Sequence, residues 1–283
     1  MAGEYSIPVR ELGIRRITGE YPPGLLTRRF GPVRVNPNAY KVLKDWLNGD
    51  IIGNHARARP DLLAWFRPWN GELWLYRVAT DAYVDYPPGE VVKTVRMLLP
   101  DAEPIKLGNL YGRDEFIMYG AKYAEAVLGY EDGGVVKGVW VRAGDDAYTA
   151  IKIRPFYAYP RAISAVILPN QVSRRLHVGM GLVDRIRIDL DASLATLRSF
   201  NIQELFKYKV PWSVLDYLNK RGIYPDVRIL EEYGYTAYGL AIALGRVFVH
   251  SSWDRREAIA RYLVRLTTDP EAFIEALSKK PQA

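Results

Sequence analysis

The residues most able to bind a ligand lie between positions 137 and 175, where cations alternate with aromatic rings. Cations of this kind attract phosphates, and aromatic faces stack on unpaired bases, each stack contributing about 1–3 kcal/mol without requiring a particular base sequence. Aromatic residues at strand spacing are also common in sheet cores, which is the structural alternative. We predict a surface for single-stranded nucleic acid and no catalytic residue. The predicted binding residues are Lys137, Arg142, Lys152, Arg154, Tyr157, Tyr159, Arg161, Arg174 and Arg175.

The charge distribution supports an anionic partner. The net charge is +7, of which residues 1–67 carry +5, residues 68–136 carry −5, residues 137–187 carry +6 and residues 188–283 carry +1. A local positive excess attracts polyanions by Coulomb attraction and counterion release. The same charges are also compatible with a merely solubilising surface.

Two pairs of carboxylates suggest an alternative, magnesium-dependent chemistry. On a strand, Asp189 and Asp191 would share one face, as in the metal site of archaeal-type primases, and the protein would then be a primase-like nucleotidyltransferase. Leu190 and Leu194 at helical spacing favour instead a helix that begins at these aspartates, where carboxylates oppose the helix dipole favourably. Gly144-Asp145-Asp146 resembles the catalytic hairpin of RNA polymerases, but it is also an ordinary hairpin turn.

Composition excludes most other site chemistry. The chain has no cysteine and only three histidines, which excludes disulfides and thiolate nucleophiles and leaves little material for a transition-metal site. Phosphate-loop, dinucleotide and nucleophile-elbow motifs are absent, so no cofactor is predicted. We find neither a long apolar run nor a secretory leader and expect a cytoplasmic protein with no membrane partner. The lack of thermolabile residues suggests a thermophilic source.

The elements that must position these residues predict an α+β fold. Residues 1–36 are rich in Pro, Gly and Arg without a sustained period, which predicts an extended basic arm. Residues 37–205 are expected to form the core domain, and residues 206–283 a helical C-terminal subdomain. The expected elements are helices at 37–48 and 88–99, a strand at 72–80, an antiparallel β-meander over 115–168, a long helix over 188–200 packed on the meander, and a helical last third.

The strand-rich region also resembles a known family. The segments Trp69 to Val78, Gly138 to Asp146 and Ile153 to Leu168 are similar to a phage/plasmid-like family of unknown function numbered 932, and Thr80 to Tyr83 resembles its strand that ends in tyrosine. The similarity covers about residues 65–205 and would place Arg161, Arg175 and His177 before a long helix. It departs from the family after the arginine-flanked strand, where this chain has only Pro169-Asn170. The resemblance implies a mobile-element protein and no particular catalytic residue.

Three classes of function follow from these observations. The first is a nucleic-acid-binding protein of plasmid or viral replication or recombination, with single-stranded DNA as the favoured partner and strand annealing as one form of the activity. The second is the primase-like enzyme with magnesium at Asp189 and Asp191. The third is a structural, virion-associated homo-oligomer whose Tyr and Trp side chains make subunit contacts, because aromatic residues are enriched at protein interfaces.

Overall fold

The computed structural model describes residues 4–48, 62–80, 86–146, 149, 151–170 and 181–279. These residues form an α+β fold with two six-stranded sheets and with helices concentrated in the C-terminal part, which confirms the predicted fold class. The backbone contacts divide the chain into two compact units. Unit 1 comprises the described residues within 1–92, 113–124 and 142–152, and unit 2 those within 93–112, 125–141 and 153–283.

Unit 1 is built on a sheet whose strand order is β1-β5-β6-β4-β3-β2. The strands are β1 (Tyr5–Pro8), β2 (Ile14–Thr18), β3 (Gly24–Thr27), β4 (Gly31–Val35), β5 (Leu62–Trp69) and β6 (Glu72–Thr80). Strands β4 and β6 are parallel, whereas β5 and β6 form an antiparallel pair. Helix α1 (Pro37–Asn48) has the predicted bounds, and the Asn36 side chain accepts a hydrogen bond from the Asn38 amide at its start.

The prediction of an extended arm over residues 1–36 is wrong. The described part of this segment supplies four strands, and Leu12, Leu25 and Val35 are buried in the core of unit 1. The Pro and Gly residues that indicated an arm lie mainly at the turns and ends of these short strands. The burial of apolar side chains therefore decides the structure of this segment, in spite of its many Pro and Gly residues.

The second sheet contains the predicted meander. Its strands are β7 (Glu103–Pro104), β8 (Arg113–Met118), β9 (Ala121–Asp132), β10 (Val135–Gly144), β11 (Lys152–Tyr159) and β12 (Ser164–Ile167). The order is β12-β11-β10-β9-β7, and β8 also pairs with β9, so the strands from β8 to β12 pair consecutively as expected, whereas β7 pairs with β9. Strands β9 and β10 contribute residues to both units.

The described residues of the C-terminal part contain six α-helices. They are α3 (Leu182–Ser199), α4 (Trp212–Lys220), α5 (Val227–Tyr233), α6 (Ala237–His250), α7 (Trp253–Thr268) and α8 (Pro270–Ser278), while α2 (Pro88–Leu98) precedes the meander. Of these helices, α5 and α7 pack against α6. Helix α6 packs against β12, where the Ser164 hydroxyl donates to the Ile242 carbonyl at 2.7 Å. The predicted boundary at residue 205 is therefore crossed by one continuous core. In the described part of the chain, no helix has both the length and the apolar character that a membrane span needs.

Candidate nucleic-acid interface

The predicted cations do not form one exposed row. Arg142 and Lys152 belong to unit 1, and the other described members belong to unit 2. Arg142 is only 4% exposed, so it offers no surface cation to a phosphate. Lys152 is partly buried at the start of β11. Arg174 and Arg175, like the family-related His177, lie outside the described residues.

Two further predicted cations already have acidic partners. The Lys137 ammonium lies 2.5 Å from Asp132 and near the ring of Tyr157. Both terminal nitrogens of Arg154 donate to the Glu257 carboxylate, the shorter contact being 2.9 Å, in a largely buried setting. A phosphate would have to displace these carboxylates, which makes both cations poor phosphate ligands. Arg161, by contrast, is exposed.

The two predicted stacking tyrosines have different environments. Tyr157 is 7% exposed, and its hydroxyl donates to the carbonyl of Leu197 at 2.9 Å, so the expectation of an exposed stacking ring is wrong for this residue. Its strand is buried on both faces, which removes the alternation that would have exposed it. Tyr159, two residues later, is partly exposed and makes an edge contact with Tyr238 at a centroid distance of 6.2 Å.

Tyr159 belongs to a group of rings on unit 2 that we call the aromatic surface. Its members are Tyr159, Phe206, Trp212, Tyr233, Tyr235 and Tyr238. Phe206 stacks on Tyr238 with centroids 4.1 Å apart and an interplanar angle of 22°. Phe206 is nevertheless 48% exposed and Trp212 is 65% exposed. Tyr159, Phe206 and Tyr233 each contact Tyr238, and Trp212 contacts Tyr235, so Phe206 and Trp212 are the exposed rings of this surface and the other four are partly buried.

Local structure holds these rings in place. Phe206 lies in a 3-10 helix, Ile202–Lys207, whose preceding Asn201 side chain accepts from the Gln203 amide. The chain then pairs with the α5–α6 connection, since the amide of Val210 donates to the carbonyl of Tyr235 at 3.0 Å. Thr236 caps α6 by accepting from the Gly239 amide. The segment from residue 206 to 212 and the segment from 233 to 238 are therefore fixed side by side.

Gly239 makes the corner between α5 and α6 possible. A Cβ at this position would lie 2.0 Å from the carbonyl oxygen of Gly234, which is backbone and cannot swing away as a side chain would. Gly234 itself adopts a φ of 88°, a conformation that favours glycine. The two glycines therefore allow the turn that carries Tyr233, Tyr235 and Tyr238.

The electrostatic character of the aromatic surface is only mildly basic. Burial and the neighbouring Glu232 raise the pKa of Tyr233, and the exposed Arg161 nearby opposes this rise. Lys207 pairs with Glu204, whereas Lys209 is exposed on the paired segment. Burial is the main cause that raises the pKa of Tyr159, and Tyr238 adds to the rise. The Tyr159 hydroxyl therefore stays neutral at physiological pH. We therefore expect ring stacking to contribute more to binding at this surface than attraction to phosphates.

Comparisons of the chain with protein-family models, with curated proteins and with solved structures found no match. The resemblance to the phage/plasmid-like family consequently stays a prediction.

The aspartates of the alternative metal site do not come together. They lie in α3, which begins at Leu182, so they are not at its start as expected; Asp184 is the acidic residue of its first turn. Two residues along a helix are rotated by about 200°, and accordingly Asp189 is buried while Asp191 is exposed. The described residues contain no group of three His, Cys, Asp or Glu able to hold a metal ion.

Asp145 and Asp146 are buried within unit 1. Asp145 accepts from the Arg67 guanidinium at 2.6 Å and from the Lys122 amide at 2.8 Å. Asp146 accepts from the Tyr123 hydroxyl at 2.9 Å. Burial tends to lower the pKa of Arg67, but Asp145 raises it overall. These carboxylates serve as acceptors in a buried network and not as an open magnesium site.

Sequence reasoning missed five of the six members of the aromatic surface. Phe206, Trp212, Tyr233, Tyr235 and Tyr238 were assigned only to helices of the last third. A signal was present in residues 233–239, where three tyrosines are interspersed with two glycines, a threonine and an alanine. Such a density of rings at a helix junction exceeds what one amphipathic face can bury.

Proposed function

We propose that the protein binds single-stranded nucleic acid through the aromatic surface, as a component of plasmid or viral replication or recombination. The observation that carries this proposal is the stacking of Phe206, which is 48% exposed, on the partly buried Tyr238, in a group of rings with exposed Arg161 close to Tyr233. Unpaired bases offer flat faces to such rings, whereas the bases of a duplex are already stacked. Single strands are therefore the preferred ligand.

The test measures the affinity of a fluorescently labelled single strand for Phe206→Ala and Trp212→Ala. A stacking contact contributes about 1–3 kcal/mol, so each substitution should weaken binding by about 5- to 150-fold. Tyr130→Ala is the matched control, because Tyr130 is similarly exposed in unit 2 but lies on β9, outside the aromatic surface. We expect this control to bind like the parent.

Arg161→Ala separates charge from stacking. Losing one phosphate contact should reduce the slope of log affinity against log salt concentration by about 0.7, whereas the Phe206 and Trp212 variants should retain the parental slope. The proposal fails if the parent does not bind single strands, or if Phe206→Ala and Tyr130→Ala bind equally well.

The mass of the purified particle distinguishes the structural alternative. If the exposed rings are subunit contacts, Phe206→Ala should lower the mass in the absence of any oligonucleotide. If they bind bases, the mass should be unchanged by the substitution and should rise only when the parent is mixed with a strand. A lower mass of Phe206→Ala without oligonucleotide would indicate a role in assembly and would count against nucleic-acid binding.

A further inference from the structure

A separate cavity of about 310 Å³ lies at the other end of α6 in unit 2. It is open to solvent and is bordered by the α4–α5 loop, the last turn of α6 and the beginning of α7. Its side chains include Arg246, His250, Arg255 and Tyr224. His250 lies twelve positions after Tyr238 on α6, which corresponds to about 18 Å along the helix axis at about 1.5 Å per residue. The cavity is thus distinct from the aromatic surface.

Two guanidinium groups are held at the cavity by contacts with the α4–α5 loop. A terminal nitrogen of Arg255 donates to the Gly222 carbonyl at 2.6 Å, and Nε of Arg246 lies 3.6 Å from the Asp226 carboxylate. Asp226 is also occupied as the cap of α5, because it accepts from the Arg228 amide at 3.0 Å. Each guanidinium carries five N–H donors, so both retain donors for a ligand. Two fixed cations against one carboxylate leave the cavity positive.

The nearby helix ends do not cancel this charge. The final carbonyls of α6 would repel an anion if they were bare, but they accept hydrogen bonds from the protein itself. Ser251 donates to the carbonyls of Val247 and Phe248, and Asn109 donates to those of Val249 and His250.

Tyr224 adds a flat apolar face to the cationic cavity. Its side chain is 68% exposed, so the ring is accessible to a ligand. The cavity volume is near the lower end of the range for small-molecule sites, about 300–1,000 Å³. A site of this size with cations on one side and a ring on its border suits a phosphate joined to one planar group.

We propose that this cavity binds the phosphate group of a nucleotide, with Arg246 and Arg255 on the phosphate and Tyr224 against the base. Two sources would present the same chemistry: a free nucleoside monophosphate, or the terminal 5′-phosphate of a strand. The proposal does not depend on the aromatic surface.

Calorimetric titration of the whole protein with inorganic phosphate and with a nucleoside monophosphate tests this assignment. Arg255→Ala should weaken both ligands by about 10- to 100-fold, as expected for loss of a charge-assisted hydrogen bond, and Arg255→Lys should retain part of the affinity. Tyr224→Ala should weaken the nucleotide and leave inorganic phosphate unchanged. Arg261→Ala is the matched control, since Arg261 is exposed on the same helix but does not line the cavity.

Oligonucleotides with and without a 5′-phosphate identify the source. If the phosphate strengthens strand binding and Arg255→Ala removes this gain, the cavity holds a strand end; if the two oligonucleotides bind equally, it holds a free nucleotide. Phe206→Ala should leave phosphate binding intact, so failure of the aromatic surface and failure of the cavity give different results. Absence of phosphate binding by the parent, or equal losses in Arg255→Ala and Arg261→Ala, would overturn the proposal.

Discussion

Glu125 and Arg256 form a buried ion pair in unit 2, and removal of either partner should destabilise that unit strongly. A terminal nitrogen of Arg256 lies 2.9 Å from both carboxylate oxygens of Glu125, and the indole of Trp140 donates to the same carboxylate at 2.7 Å. Arg256 also donates to the carbonyls of Asn109 and Ser251. Because both ions are shielded from water, neither charge can be solvated once its partner is gone.

The substitution Glu125→Gln removes the charge while keeping the shape and an acceptor for Trp140. Leaving Arg256 as an uncompensated buried cation should cost about 3–5 kcal/mol of unfolding free energy. For a domain of this size, that loss lowers the melting temperature by roughly 6–20 °C. Lys220→Met, which breaks the exposed pair of Lys220 with Asp216, is the control and should cost about 1 kcal/mol or less.

The double variant Glu125→Gln/Arg256→Met identifies the cause of the loss. It contains neither buried charge, so its destabilisation should fall short of the sum of the two single losses by about 0.5–3 kcal/mol. Thermal unfolding followed by circular dichroism and by tryptophan fluorescence is measured for the parent, Glu125→Gln, Arg256→Met, the double variant and the Lys220→Met control. Strict additivity, or a Glu125→Gln loss no larger than that of the control, would refute a dry ion pair at this position.

Two further predictions concern the corner at α6 and the buried tyrosines. Gly239→Ala should destabilise unit 2 by about 1–3 kcal/mol and weaken strand binding, because the added Cβ would meet the Gly234 carbonyl. The control is Gly19→Ala, where a Cβ meets nothing within 4 Å, and it should change the melting temperature little. Equal melting temperatures for the two variants would contradict the clash at Gly239. Burial is the main cause that raises the pKa of Tyr76 and Tyr123 above the ordinary value of 10.0, and Asp146 adds to it at Tyr123. The stability contributed by these neutral tyrosines should therefore be fully present below pH 10. Above pH 10 it should fall by up to about 1.4 kcal/mol per pH unit for each tyrosine, until the folded-state pKa is reached. A melting temperature that stays constant above pH 10 would contradict this linkage.

The elements with clear local signals could be predicted from the sequence. Asp269 as the cap and Pro270 as the first helical residue predict a helix from Pro270 to Ser278. Helix α8 has these bounds, and the Asp269 side chain accepts from the Ala272 amide at 2.9 Å. Helix α1 is predicted equally well from Asn36 and Pro37. In both cases the deciding contacts join residues two or three positions apart, so sequence reasoning has access to them.

The errors arise where distant residues decide the outcome. Residues 5–35 supply four strands of a sheet in which β4 pairs in parallel with β6, some forty residues later, and no local pattern reveals that pairing. The sequence predicts Tyr157 as a stacking ring because aromatic residues and cations coincide in this region, yet residues 155–158 of β11 are all buried and the Tyr157 hydroxyl donates to the carbonyl of Leu197, forty residues later. The aromatic surface combines position 159 with positions 206–212 and 233–238, so only the folded chain brings its rings together.

Helix α6 gives both proposed sites a rigid support. Most of its residues are buried, and a Cβ at Gly245 would lie 2.4 Å from the Ser164 hydroxyl, so the helix sits as close to β12 as two backbones allow. Tyr238 near its start and His250 at its end are consequently anchored to the same core. A ligand at either end meets side chains already held in position, which reduces the ordering cost of binding. Exposed rings and cations that a buried helix holds in place are therefore stronger evidence for a binding surface than the same residues on a loosely packed loop.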